Sequence, residues 1–311
     1  MNNIFFLLSF SRSGSTLLSK ILNNNKKITV LNETWIFPTL SILGWKKLNY
    51  NKQRYILHVY NKSLKIYKNY SLVSHTICER ETISIICFYK KIINNNVNPI
   101  GEKNPVNILH HSYLKNNFEN SKFIFLIRDP IAIANSYRNR WLKDVSFNYF
   151  LFRVTTVIKT YFLSYQEFCN DKEFLSVRYE DLVKDPFSSL SELCNYLGIN
   201  YDKNMLDNIN SFSFETEFNN GHENLTNNIN TNSIDKYNNQ FSKEQLESIS
   251  YLLRDVTSFF GYPTEYTKPS KFLLRIERKV NNRLIFNKSY LKLYFKRIKY
   301  YLFYLKFTIT R

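Results

Sequence analysis

The stretch Phe5-Phe6-Leu7-Leu8-Ser9-Phe10-Ser11-Arg12-Ser13-Gly14-Ser15-Thr16-Leu17-Leu18 decides the fold. An apolar run stops at a small, polar, Gly-containing turn, after which Leu17, Leu18, Ile21 and Leu22 recur at helical spacing. Strand, tight turn and helix together point backbone N–H groups and a helix N-terminus at an anion. Gly14 permits close approach to a ligand, and Ser13, Ser15 and Thr16 add hydroxyl donors. Arg12 adds a fixed charge with a planar donor fork. A Walker loop needs Gly at the place of Ser9 and Lys at the place of Ser15. The mechanics of a nucleotide loop are therefore present with different chemistry.

The same alternation continues outward. Ile28 to Leu31 is a second β-like run, ending at Asn32-Glu33-Thr34 and followed by Trp35-Ile36-Phe37-Pro38. Apolar spacing from about residue 40 to 93 is mostly helical. Ile100-Gly101-Glu102-Lys103-Asn104-Pro105 reads as a short strand entering a turn, with a helix from Val106 to Phe118. Lys122 to Ile127 is apolar almost throughout, as a parallel strand covered on both faces would be. Arg128-Asp129-Pro130 stops it, and a helix runs past Arg140. An aromatic helix is expected over Tyr149–Cys169, a strand over Phe174–Val177, and a helix from Pro186 to Leu197 closed by Gly198. Residues 214–232 read as an Asn-rich loop, and Ser242 with Gln245 as a capping box for a helix over Lys243–Phe260. Strands alternating with helices predict a parallel α/β sheet with its ligand at the strands' carboxyl ends.

Composition narrows the partners. The 311 residues carry a formal charge of +18, which favours anionic ones. From Lys268 to Arg311 thirteen basic residues face Glu277 alone, so most of the excess lies in the tail. There Leu291, Phe295, Ile298, Leu302, Leu305 and Ile309 form an amphipathic stripe flanked by Lys292, Lys296, Lys299 and Lys306. Such a helix suits a membrane surface, the body of the protein or a second subunit. Cys78, Cys87, Cys169 and Cys194 lack metal spacing and read as apolar residues of a reducing compartment. With no signal-peptide pattern or membrane-spanning run, a cytoplasmic location is expected, peripheral to a membrane if the tail binds one. His75, His110 and His111 belong to no motif, and Glu180 and Asp181 are expected to cap the helix at Leu182.

Three turns together carry a family resemblance. Phe6 to Leu18, then Phe123 to Arg140 (F-I-F-L-I-R-D-P-x-A-x-x-x-S-x-x-x-R), then Val177 to Gly198 (V-R-Y-E-D-L-V-x-D-P…L-C-x-Y-L-G) resemble the PAPS-dependent sulfotransferases. The Arg-Ser-Gly-Ser-Thr form is nearest the tyrosylprotein and bacterial carbohydrate-type members, and the match runs over about residues 4–263. The resemblance implies an α/β, P-loop-like three-layer fold with a central parallel sheet flanked by helices. That domain would occupy residues 1–266, with a basic amphipathic C-terminal helix over 267–311.

The resemblance also assigns roles. Arg12, Ser13, Gly14, Ser15 and Thr16 would hold the 5′-phosphosulfate. Arg128, Ser136 and Arg140 would hold the 3′-phosphate, with Tyr179 and Lys236 as further nucleotide contacts. Glu33, 21 residues after Arg12, stands where tyrosylprotein sulfotransferases have their general base. Lys103 maps to a catalytic Lys, and Pro105 stands where cytosolic members have a catalytic His. Arg residues that read acidic peptides in the tyrosylprotein enzymes fall at Trp35 and Thr39, neither of them basic. The expectation is in-line sulfuryl transfer from PAPS, leaving PAP, with Trp35 and Thr39 on the acceptor side. The acceptor would be a glycan or glycolipid hydroxyl, with no metal and no specific nucleic acid. The alternatives are tyrosylprotein-type sulfation, a P-loop kinase, or a non-enzymatic basic module for nucleic acid or membrane.

Overall fold

The computed structural model describes residues 4–34, 36–43, 99–118, 120–207, 231, 234 and 236–285. The readings placed on Trp35, on 44–98, on most of 214–232 and on the stripe beyond 285 lie outside these residues.

Among the described residues, β1 (Ile4–Ser9), β2 (Thr29–Asn32), β3 (Ile100–Lys103), β4 (Lys122–Ile127) and β5 (Phe174–Arg178) form one parallel sheet. Its order is β2-β3-β1-β4-β5, with β1 central. Phe5, Phe6, Leu7 and Leu8 are all fully buried because alternate residues serve opposite faces. Phe6 and Leu8 join Phe123 and Phe125 in one core, whereas Phe5 and Leu7 join Leu18, Ile21, Ile124 and Leu126 in the other. Gly101 on β3 is required by this packing: a Cβ there would meet the Phe5 ring at 2.3 Å.

The helices are α1 (Ser15–Asn23), α2 (Ile36–Leu43), α3 (His111–Asn117), α4 (Pro130–Trp141), α5 (Phe147–Gln166), α6 (Tyr179–Lys184), α7 (Pro186–Leu197), α8 (Lys243–Phe259) and α9 (Lys271–Ile285). α5, α8 and α9 contribute to the core on the Phe6 face; α1, α6 and α7 contribute to the core on the Phe5 face. The architecture is thus the three-layer α/β arrangement expected from the strand pattern.

One element differs from expectation. The helix predicted from Val106 starts as a 3₁₀ segment, Pro105–His110, before α3. Asn104 caps it by accepting from the Val106 N–H at 3.1 Å, which tightens the first turns. The described part of the C-terminal extension, α9, lies against the body and buries Ile276 and Val280 in the core shared with α5 and α8. Its Glu277 turns inward to Arg254 (2.6 Å) and Tyr251 (2.7 Å), leaving Lys271, Arg275, Arg278 and Lys279 exposed. Among the described residues no helix is long and apolar enough to cross a membrane.

Candidate active site

Every strand of the sheet ends at a candidate residue. Lys103 closes β3; Glu33, Arg128 and Tyr179 directly follow β2, β4 and β5; Arg12 lies in the turn after β1. Parallel strands bring these carboxyl ends to one edge, so residues far apart in sequence meet there.

The turn after β1 is held by the Ser13 N–H donating to the Phe10 carbonyl at 3.2 Å. Gly14 takes φ 94°, and a Cβ on it would lie 2.6 Å from the Tyr179 ring. No side chain caps α1, so the N–H groups of its first turn are available to a ligand. The Ser13 hydroxyl is buried and has no hydrogen-bond partner among the described residues. A buried orphan hydroxyl beside an uncapped helix start fits an anionic occupant.

Arg12 Nε donates to Ser136 Oγ on α4 at 3.0 Å, and the guanidinium lies 5.6 Å from the Trp141 ring. Arg128 Nη1 donates to the Arg12 carbonyl at 3.1 Å, and its guanidinium stands 4.4 Å from the Tyr179 ring. Tyr179 is therefore wedged between Gly14 and Arg128. Burial, and then the charge of Arg140, with Arg128 adding to it, hold the Arg12 guanidinium below its ordinary pKa. Guanidinium groups that repel one another at one strand edge fit a ligand carrying several negative charges.

On the other side of the turn, the buried Lys103 ammonium donates to Glu33 Oε1 at 2.8 Å and to Thr16 Oγ1 at 3.3 Å. The Glu33 side chain is 48% exposed, so its carboxylate is paired yet reachable. Thr39 lies on α2, with its side chain, like Trp35, outside the described residues. Lys236 is exposed on a 3₁₀ turn, Lys236–Asn239, docked beside α4 by the Asn139–Gln240 bond (2.7 Å) and by Tyr237 bonding to Asp129.

The Arg128-Asp129-Pro130 turn is braced from behind. Asp129 caps α4 by accepting from the Ile131 N–H at 2.8 Å, and burial raises its carboxyl's pKa. Its own N–H donates to Glu180 Oε1 at 3.0 Å, and the Tyr262 hydroxyl donates to Glu180 Oε2 at 2.7 Å. This corrects the reading of Glu180 as a helix cap. α6 starts at Tyr179, so Glu180 sits inside its first turn and reaches across to β4's exit. His110 Nδ1 is 3.0 Å from Ser41 Oγ, and His111 stacks on Phe168 with ring centroids 3.6 Å apart. Desolvation pushes both histidines down to about 4.

Sequence reasoning did not single out Glu102, Thr34 or Trp141. Glu102 carried one signal, a carboxylate inside a strand segment, and is 1% exposed. Trp141 carried none, since its place beside Arg12 depends on the packing of α4.

Fold and site together define an α/β enzyme that gathers positive charge around an uncapped helix start, next to an ion-paired carboxylate. A family model described as "Sulfotransferase family" matches residues 5–203, and the chain belongs to the sulfotransferase family. A putative protein-tyrosine sulfotransferase of Caenorhabditis briggsae is 23% identical over 283 residues, covering 86% of this chain and 91% of that protein. Protein-tyrosine sulfotransferase 2 of Gallus gallus is 24% identical over 213 residues, 65% of this chain and 53% of that one. Among solved structures, the sulfotransferase domain of the Synechococcus PCC 7002 olefin synthase has a similar fold. It matches with a TM-score of 0.56 at 20% identity, covering 85% of this chain and 96% of that domain. A mouse sulfotransferase complexed with PAP matches with a TM-score of 0.50 at 16% identity, covering 82% and 85%.

Proposed function

We propose that the chain transfers the sulfuryl group of PAPS to an acceptor hydroxyl, with Glu33 as general base. The observation that carries this reading is the single ammonium of Lys103, which touches both Glu33 and Thr16. One cation thereby links the candidate base to the anion-holding turn. PAPS supplies an activated sulfuryl group on a phosphate leaving group. The N–H groups of Ser13, Gly14, Ser15 and Thr16 would hold its 5′-phosphate; Arg128, Ser136 and Arg140 would hold the 3′-phosphate. Tyr179 backs the turn, and Lys236 lies on the segment that would cover the nucleotide. Arg12 and Lys103 would neutralise charge developing on leaving and transferring oxygens, the largest contribution expected where positioned charge dominates. Glu33 would take the acceptor proton, a role worth about 10²–10⁴ in rate.

The non-basic residues Trp35 and Thr39 support a glycan or glycolipid hydroxyl as acceptor. The names of the curated relatives support a second reading, a protein tyrosine. Two assays test the proposal. PAP should raise the melting temperature more than ATP at equal concentration, and equal effects would argue for a kinase-like site. Labelled PAPS should then be offered to glycans, glycolipids and tyrosine peptides, and the class that takes up label identifies the acceptor.

A further inference from the structure

Resting on the reading of Glu33 as base, we propose that Glu102, acting through Thr34, is the residue that positions Glu33. Glu102 lies on β3 directly before Lys103 and is 1% exposed. A carboxylate at that depth costs several kcal/mol unless its oxygens accept hydrogen bonds. Here Oε1 accepts from the Thr34 hydroxyl at 2.9 Å and from the Thr34 N–H at 3.3 Å.

Those two bonds fix a bend that the backbone does not favour. β2 pairs with β3 up to Asn32 opposite Lys103, and the Glu33 N–H extends that pairing by donating to the Lys103 carbonyl at 2.7 Å. The chain then takes φ 47° at Glu33, the left-handed region that non-glycine residues avoid. Thr34 is thereby turned back toward β3, where Glu102 receives it, and its Oγ1 accepts from the Ile36 N–H at 3.4 Å as α2 begins. Glu33 is thus pinned on both sides, by Lys103 before the bend and by Glu102 after it. The result is a carboxylate delivered to the Lys103 ammonium at 2.8 Å while still open to an acceptor. Consecutive residues of one strand have separate roles here. Lys103 meets the carboxylate, and Glu102 holds the backbone that presents it.

The test compares Glu102→Ala, Glu102→Gln, Thr34→Val, Glu33→Gln and the double variant Glu33→Gln/Glu102→Ala as full chains. Crystal structures of Glu102→Ala and Thr34→Val should show residue 33 released from positive φ and its carboxylate moved away from Lys103. Initial rates are read as label passed from PAPS to an extract of the native host. Glu102→Ala should lose about tenfold or more at saturating donor, the scale of loss from a misplaced catalytic group, with donor half-saturation changed less than about twofold. Glu102→Gln keeps an acceptor oxygen and should restore most of the rate. The double variant should be no slower than Glu33→Gln alone, because residues acting through one group are not additive. Should Glu102→Ala fail to fold, Thr34→Val in the same pair of backgrounds takes its place. An unmoved Glu33 in the crystals, or additive losses in the double variant, overturns the positioning role. Full activity of Glu33→Gln overturns instead the reading of Glu33 as base, so the two failures are distinguishable.

Discussion

Arg12 and Glu33 are two of the three non-glycine residues with positive φ among those described, at 74° and 47°; the third is Asn120. Asn adopts this conformation readily, whereas Arg and Glu do so at a cost of order 1–3 kcal/mol. Both sit at strand exits, with their side chains in the site. The strain at Glu33 can be measured without activity: Glu33→Gly and Glu33→Ala both lack the carboxylate, but only Gly relieves the bend. Glu33→Gly should therefore be the more stable of the two by about 0.5–1 kcal/mol in denaturant melts, and equal stability would remove the claim of strain. The histidines give a second prediction at this scale. His110 and His111 titrate near 6.5 when unfolded and at about 4 when folded, so between those values the unfolded chain binds more protons. Stability from this source is complete above about pH 6.5 and falls as pH drops toward 4. His111→Phe, which keeps a ring against Phe168, should flatten that slope; an unchanged slope would place the acid sensitivity elsewhere.

The element that organises the site is the turn between β1 and α1, and Gly14 is its tightest point. Gly14→Ala adds a Cβ 2.6 Å from Tyr179 at a φ of 94°, so the turn must open or Tyr179 must leave Arg128. PAP binding by calorimetry should weaken at least tenfold, while α8, capped independently by Ser242 and Gln245, is unaffected. Ser242→Ala should do the converse, costing about 1 kcal/mol of stability with PAP affinity unchanged. Much of this level was legible in the sequence, because an unbroken apolar run such as Phe123–Ile127 followed by Arg-Asp-Pro announces a buried strand and its exit. Arg12, Glu33, Lys103 and Arg128 could be placed at strand ends for the same reason. What could not be read are contacts that close only in three dimensions. Arg12 meets Ser136 across 124 residues, Glu102 meets Thr34 across 68, and Tyr262 meets Glu180 across 82. No local pattern encodes such partners, and a positive φ at Arg or Glu runs against local preference. The glutamate read as a cap shows the same limit: first-turn position suggested one role for Glu180, and packing against Asp129 and Tyr262 gave it another.

At the scale of the whole molecule, the described residues gather basic side chains at the sheet's carboxyl edge and also along the exposed strip of Lys271, Arg275, Arg278 and Lys279 on α9. Because α9 also buries Ile276 and Val280, removing residues after Tyr266 should lower the melting temperature as well as the charge. The surface role of the strip is better tested by reversing those four charges to Glu in the full chain. Co-sedimentation with phosphatidylserine vesicles should then fall sharply, whereas equal binding would leave the strip a merely solvated face. Whether the strand-end constellation moves a sulfuryl group is read most directly from transfer of label from PAPS by the wild type and by Glu33→Gln, with PAP affinity measured on both. The expected result is labelled, hydroxyl-sulfated product from the wild type, a loss of about 10²–10⁴ in Glu33→Gln, and PAP binding within a few-fold of wild type. Undiminished transfer by Glu33→Gln, or no PAP binding by either protein, would contradict it.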